Sequence, residues 1–250
     1  MMKALQIAAS GMSAQQTRID TVANNLANVN TTSFKKSRAA FQDVYYQELA
    51  GGARGARAEL GGGTRLAGLV KDHTPGTLEQ TGDPLHIGLA GPGYLQLTDA
   101  AGSPVYTRDG SLRVDADGLL RSTSGLPVAG DIVVPEDTLE LTIDIDGTVS
   151  ALLEGDDQPF VLGQLEVFQF TNPAGLRSLG SNQYAATGQS GVAMFDDGKT
   201  EVRQGHLETS NVDVAEELIH LVTAQRAYEL NSKVIQAADE AMQIAANLKR

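Results

Sequence analysis

Apolar residues recur along the first thirty positions in alternating steps of three and four. Leu5, Ala8, Met12, Gln15, Ile19, Val22, Leu26 and Val29 occupy this series, and only Gln15 among them is polar. Such a seam, uninterrupted by proline, predicts a long amphipathic helix suited to packing against another helix. The last forty residues repeat the pattern. Val214, Leu221, Tyr228, Ile235 and Met242 fall seven apart. Ala224, Ala238 and Ala245 follow members of that series by three, while Leu218, Val234, Ala241 and Leu248 widen the stripe. Asp213 followed by Glu216 has the form of a capping box, with Asn211 as a rival cap. From there to Arg250 the chain contains neither glycine nor proline.

Residues 64–205 have a different texture. Glycine and proline punctuate short alternating runs such as GYLQLTD, LELTIDIDGTVSALL and LGQLEVFQFT. Asp109-Gly110, Asp117-Gly118, Asp146-Gly147 and Asp197-Gly198 are hairpin-turn signals. The middle of the chain is therefore expected to be a mostly antiparallel β domain. Residues 45–63 hold six glycines and few large apolar groups, the composition of a linker or extended loop. The expected organisation is an N-terminal helix over 1–32, a glycine-rich loop over 33–69, a β-rich outer domain over 70–206 and a C-terminal helix over 207–250. This is an α+β chain whose terminal helices form a coiled-coil-like inner domain.

Composition narrows the chemistry. The chain has 250 residues, no tryptophan, 27 glycines and a formal charge of −12. The charge is uneven: residues 1–40 carry Lys3, Arg18, Lys35, Lys36 and Arg38 against Asp20 alone. The acidic remainder argues against nucleic acid as a partner, since phosphate binding needs clustered cations. Without cysteine there is no disulfide, thiolate metal site or cysteine nucleophile. No apolar run approaches the ~18–20 residues of a membrane span. The opening MMKALQIAASGMSAQ is broken by Gln6 and too weakly apolar for a cleaved signal peptide, so it reads as the start of a retained helix.

Catalytic patterns do not emerge. Asp115-x-Asp117-Gly118 and Asp144-x-Asp146-Gly147 lack the remaining ligands of a calcium loop and fit hairpin turns. GGARGARAELGGG is not followed by the Lys-Ser/Thr of a phosphate loop, and no Gly-x-Ser-x-Gly elbow occurs. His73, His86, His206 and His220 are scattered without metal spacing. The expectation is a protein that is not an enzyme and holds neither cofactor nor metal. Two apolar seams more than 180 residues apart instead suggest a polymer built on a helical core.

The segment VANNLANVN crowds Asn24, Asn25, Asn28 and Asn30 into the end of the first helix. Asparagine is a poor helix former, so its repetition calls for another cause. Asn25 borders the seam, and Asn24 and Asn28 share the opposite face. Uncharged amides both donate and accept, which suits a face entering a crowded interface. Asn24, Asn25 and Asn28 are thus expected to make polar contacts between copies, beside the apolar seams; Arg226 and Asn231 read as a solvated face of the single chain that would turn to the same use in a close-packed tube.

These residues also carry a resemblance. ANNLANVNTTSFK (23–35) resembles the asparagine-rich motif of the flagellar axial proteins of rod, hook and hook-associated structures. LETSNVDVAEELIHLVTAQRAYELNSKVI (207–235) is similar to their C-terminal motif, and YTRDGSLRVDADGLL (106–120) to their β-domain hairpin. The likeness is nearest to distal-rod members. The family usually has glycine at the position of Ser33, a replacement that argues against a positive-φ turn there. The resemblance implies a structural subunit of a helical tubular drive shaft that crosses the periplasm and carries torque from motor to hook. Its implied partners are further copies of itself, proximal-rod subunits, the hook protein, the surrounding periplasmic and outer-membrane rings, and the flagellar type III export apparatus. The implied location is the basal body, reached without a cleaved signal, with terminal helices that order on assembly. A proximal-rod or hook subunit, and an exported β-domain binding module oligomerised by its helices, remain the alternatives.

Overall fold

The computed structural model describes residues 2–44, 47–49, 58–155 and 158–247. Leu248, the side chain of Ala245 and residues 50–57 of the glycine-rich stretch lie outside them. The described chain divides into two units. The first gathers residues up to 27, residues 37–71 and residues from 212 onward; the second holds 28–36 and 72–211.

Two helices dominate the first unit: α1 (Met2–Ala27) and α2 (Val214–Asn247). Asp213 caps α2, accepting hydrogen bonds from the backbone N–H of Ala215 at 2.8 Å and Glu216 at 3.2 Å. Glu216 and Glu217 then lie in its first turn, where the helix dipole favours negative charge. The 34 residues of α2 make a rod about 51 Å long at ~1.5 Å per residue. α1 ends at Ala27, five residues short of the expected boundary. Asn28 turns the chain instead: its carbonyl accepts from Thr31 N at 3.1 Å and its Oδ1 from Thr31 Oγ1 at 3.2 Å. Val29 therefore leaves the apolar seam, because it sits in that turn and not on the helix.

α1 and α2 pack against each other in antiparallel fashion. Asn25 meets Glu217 and Gly11 lies under Asn231, with the same number of residues between the two contacts on each helix. A side chain at Gly11 would bring its Cβ to 3.0 Å from Asn231 Nδ2, so glycine there allows the close approach.

Within 33–69, the described residues include paired strands. Ser37–Asp43 pairs antiparallel with Thr64–Lys71 along its whole length, and Gln47–Leu49 pairs with Ala58–Leu60. The strands were hidden because they pair with each other around a glycine-rich centre whose composition dominates the window. The ribbon packs on α1.

The second unit is antiparallel throughout its described strand pairs. Its largest sheet has six strands, with Pro104–Thr107 and Tyr94–Thr98 at the centre. Three strands, Thr138–Ile143, Thr148–Leu153 and Phe160–Gln164, form a second sheet. Ile87, Leu89, Leu97, Leu120, Val149 and Leu165 anchor the aliphatic core. A separate aromatic cluster joins Tyr94, Tyr106, Phe170 and Tyr184 edge to face, with Tyr106 and Phe170 centroids 4.8 Å apart.

Of the four Asp-Gly signals, Asp117-Gly118 and Asp146-Gly147 close hairpins, with positive φ at each glycine. Asp109-Gly110 and Asp197-Gly198 connect strands that belong to different sheets. Gly110 answers to close approach, since a Cβ there would lie 1.8 Å from the Ile87 carbonyl oxygen. Gly110→Ala should therefore cost about 1–3 kcal/mol through overpacking, read as a lower urea midpoint. Gly68→Ala, in open space, should leave the midpoint unchanged or slightly higher.

Candidate functional site

Three segments remote in sequence converge on one buried carboxylate in the second unit. Glu208 Oε1 accepts from Lys35 Nζ at 2.5 Å and from the Gly76 N–H at 2.6 Å. Its Oε2 accepts from Arg108 Nε at 2.8 Å. All three charged side chains are at most 1% exposed. Lys35 also donates to the Thr74 carbonyl at 2.8 Å. Arg108 donates to the carbonyls of Gly93, Gly91 and Leu89 at 2.7, 2.9 and 3.2 Å, and its guanidinium lies 5.6 Å from the centre of the Tyr94 ring. The cations are thus held by oxygens that need no desolvation of a second ion, a condition for tolerating buried charge. Burial pulls the Lys35 ammonium below its ordinary range; Glu208 opposes that effect and Arg108 adds to it.

The backbone at this junction is equally tied. Ser33 has φ +55° and is buried, so the turn expected to be lost with glycine is present. Its N–H donates to the Glu208 carbonyl at 2.8 Å and its Oγ to the Arg108 carbonyl at 2.7 Å, offsetting the left-handed conformation. Asn211 does not cap α2. Its Oδ1 accepts from Lys36 N at 2.8 Å, and its Nδ2 donates to the carbonyls of Asp72 and Thr74 at 2.9 and 3.1 Å. Asp72 N in turn donates to the Lys36 carbonyl at 2.9 Å. His73 Nδ1 pairs with the Tyr94 hydroxyl at 2.8 Å beside Tyr184.

In the first unit, Asn25 uses its amide as a stand-in for a neighbouring strand. Ser37 N–H donates to its Oδ1 and its Nδ2 donates to the Ser37 carbonyl, each at 2.9 Å. Nδ2 also donates to Glu217 Oε1 at 3.2 Å, and both side chains are buried. Asn25, expected between copies, makes these bonds within its own chain. Asn231 packs on Gly11, likewise within the chain. Asn24 and Arg226 are exposed, and Asn28 is half-buried in the turn.

The apolar seams divide. Ala8 and Val22 are buried, and Leu5, Met12, Ile19 and Leu26 are half-buried. On α2, Leu221, Ile235 and Met242 are half-buried and Ala224 is fully buried, whereas Val214, Leu218 and Tyr228 are exposed. A second apolar stripe was missed. Ile219, Val222, Leu230 and Ile244 lie on the side of α2 opposite its buried face by helical periodicity, with Arg226 among them. Leu230 is 62% exposed and Ile244 61%. The periodicity was visible, but a helix apolar on two sides yields two seams, and only burial tells which is used within the chain. Lys35, Arg108, Glu208 and Glu217 carried no signal as a set: charges distant in sequence show nothing of their burial.

Family models match three stretches of the chain. Residues 5–35 match the flagella basal body rod protein model, 88–151 the flagellar hook protein FlgE/F/G D1 domain, and 203–248 the flagellar basal body rod FlgEFG protein C-terminal region. Each stretch supplies one member of the buried ion cluster. Among curated relatives, the flagellar basal-body rod protein FlgG of Borreliella burgdorferi is 41% identical, with all of both chains aligned. That of Agrobacterium fabrum is 41% identical over 99% of this chain and 100% of its own. That of Bacillus subtilis is 36% identical over the full length of both.

Two outcomes follow from the junction. Glu208→Gln leaves two cations facing each other without their counter-charge and should cost about 3–5 kcal/mol of stability by chemical unfolding. The buried phenols govern alkaline behaviour: burial pushes the Tyr184 hydroxyl from its ordinary 10.0 up to about 12 and raises that of Tyr94 as well. Their contribution to stability is complete below the unfolded value of 10.0 and is lost as pH climbs through about 12. Tyrosinate absorbance from these rings should appear together with unfolding in that window.

Proposed function

The chain belongs to the family of flagellar basal-body rod proteins, and from that membership we propose that it is a structural subunit of the distal rod. Copies assemble into a helical tubular shaft that carries torque from motor to hook. The observation that carries this reading is the apolar stripe of Ile219, Val222, Leu230 and Ile244, which α1 leaves uncovered. Exposed side chains of this size along one side of a long helix are costly in water unless another surface covers them. A helix that uses one face for its own chain and the other for a neighbour makes a heterologous contact, and such contacts propagate as a filament when they do not close.

In this reading the terminal helices form a coiled-coil-like layer that carries the contacts between copies. Asn24 and Arg226 serve at the polar margin of the contact between copies. Within the basal body the shaft meets proximal-rod subunits at one end and the hook protein at the other, inside the periplasmic and outer-membrane rings. The subunit reaches that position through the flagellar type III apparatus.

Labelling along purified hook–basal bodies tests the placement directly: the tag should appear between the proximal rod and the hook, and a proximal or hook position would contradict it. Leu230→Asp should leave the far-ultraviolet spectrum and unfolding midpoint of the free chain near wild type, because the side chain is exposed. It should reduce rods and motility to the level of a null strain. Wild-type motility in that variant would remove the α2 stripe from the interface.

A further inference from the structure

Residues from the hairpin 112–122 and from the strand Thr138–Ile143 line an open groove of about 540 Å³ in the β unit. The half-buried Leu85 and the buried Leu141 line it together with the exposed Val114 and Leu139, the last of them 66% exposed. Its charged lining is acidic, from Asp115 and Glu136. Arg121 engages Asp115 at 2.8 Å. Glu136 is exposed and makes no ion pair among the described residues, so it sets the charge that an occupant must carry.

Thr138–Ile143 is a terminal strand of its sheet, and one of its edges has no neighbouring strand. Gln204 closes the far half of that edge: its Oε1 accepts from Ile143 N at 3.1 Å and its Nε2 donates to the Leu141 carbonyl at 2.7 Å. The stretch before Leu141 stays open, which leaves room for a short strand only. The same unit carries such a strand. Arg177–Gly180 ends the six-stranded sheet, and all four of its residues are exposed. A free edge of this kind accepts a further strand unless something blunts it, and a charged side chain is a common blunting device. Arg177 blunts this edge against an apolar or basic neighbour, whereas a carboxylate beside an apolar groove removes the obstacle. Two positions on, Leu179 is 47% exposed and supplies the apolar side chain that a groove of this lining would cover.

We propose that the groove receives the edge strand Arg177–Gly180 of a second copy of this chain, with Arg177 meeting Glu136 and Leu179 covered by Val114 and Leu139. The inference rests on the reading that copies assemble, and it names a surface they use. Groove and strand are different patches of one unit, so every copy offers both. The contact is heterologous and repeats from copy to copy without closing on a pair. Neither patch belongs to the terminal helices, so it adds to the α2 stripe and does not replace it.

The chain contains no cysteine, so introduced thiols report the contact without background from the chain itself. In hook–basal bodies from a strain carrying Leu139→Cys together with Leu179→Cys, a short bis-maleimide should link the chain into dimers, trimers and longer ladders. Either single substitution should leave monomers. Glu136→Arg and Arg177→Glu each bring like charges together and should each lower the number of rods on the order of tenfold. The double reversal should recover most of that loss, and the free variants should keep the wild-type unfolding midpoint because both side chains are exposed. Monomers alone from the double-cysteine chain in assembled hook–basal bodies would overturn the contact and leave the rod reading standing. A link from position 139 to a different protein, or a double reversal no better than the single ones, would do the same. A ladder from a chain located outside the distal rod would keep the contact and remove the placement, and a chain that neither assembles nor cross-links would overturn both.

Discussion

Burial of the Glu208 carboxylate between Lys35 and Arg108 constrains more of this chain than any other contact described. An ion removed from water is tolerable only if its remaining hydrogen-bonding capacity is met. Here the carboxylate takes donors from both cations and from the Gly76 amide, while the cations reach backbone carbonyls in the 74 and 89–93 regions. The arrangement is geometrically demanding: displacing any one segment strands a charge. That demand is a source of specificity, because alternative pairings of the same segments leave an uncompensated ion.

The helix pair answers to a different constraint. Asn25 and Glu217 are 192 residues apart, and closing a loop of that size costs about 4–5 kcal/mol when its entropy scales as (3/2)RT ln n. A helix pair with modest side chains, several of them alanine, has little surplus to set against such a cost. Glycine at position 11 and alanine at 224 let the helices approach closely instead of relying on large anchors. The outward face of α2 carries larger residues, Ile219, Val222, Leu230 and Ile244, which stay exposed in the single chain.

Polar residues at the end of α1 and just after it follow the same economy. The asparagine cluster serves several purposes that composition alone does not separate. Asn25 mimics backbone for Ser37 and holds Glu217; Asn28 turns the chain after α1; Asn24 stays on the exposed face. Each use depends on an amide offering donor and acceptor without charge. A lysine or glutamate at position 25 could not satisfy both the N–H and the carbonyl of Ser37.

The sequence by itself determined the two long helices, the antiparallel β character between them and the flagellar axial resemblance, because each rests on local periodicity, turn chemistry or contiguous motifs. Asp213 as cap and the turns at Asp117-Gly118 and Asp146-Gly147 were legible for the same reason. Only the tertiary structure decided that Ser33 keeps a positive φ and that 37–43 pairs with 64–71 around the glycine-rich stretch. It alone decided which face of α2 is covered, and that Lys35, Arg108 and Glu208 meet in one buried cluster. Those outcomes depend on contacts between residues tens to hundreds of positions apart. Burial and charge compensation are properties of such contacts, and no single stretch of sequence contains them.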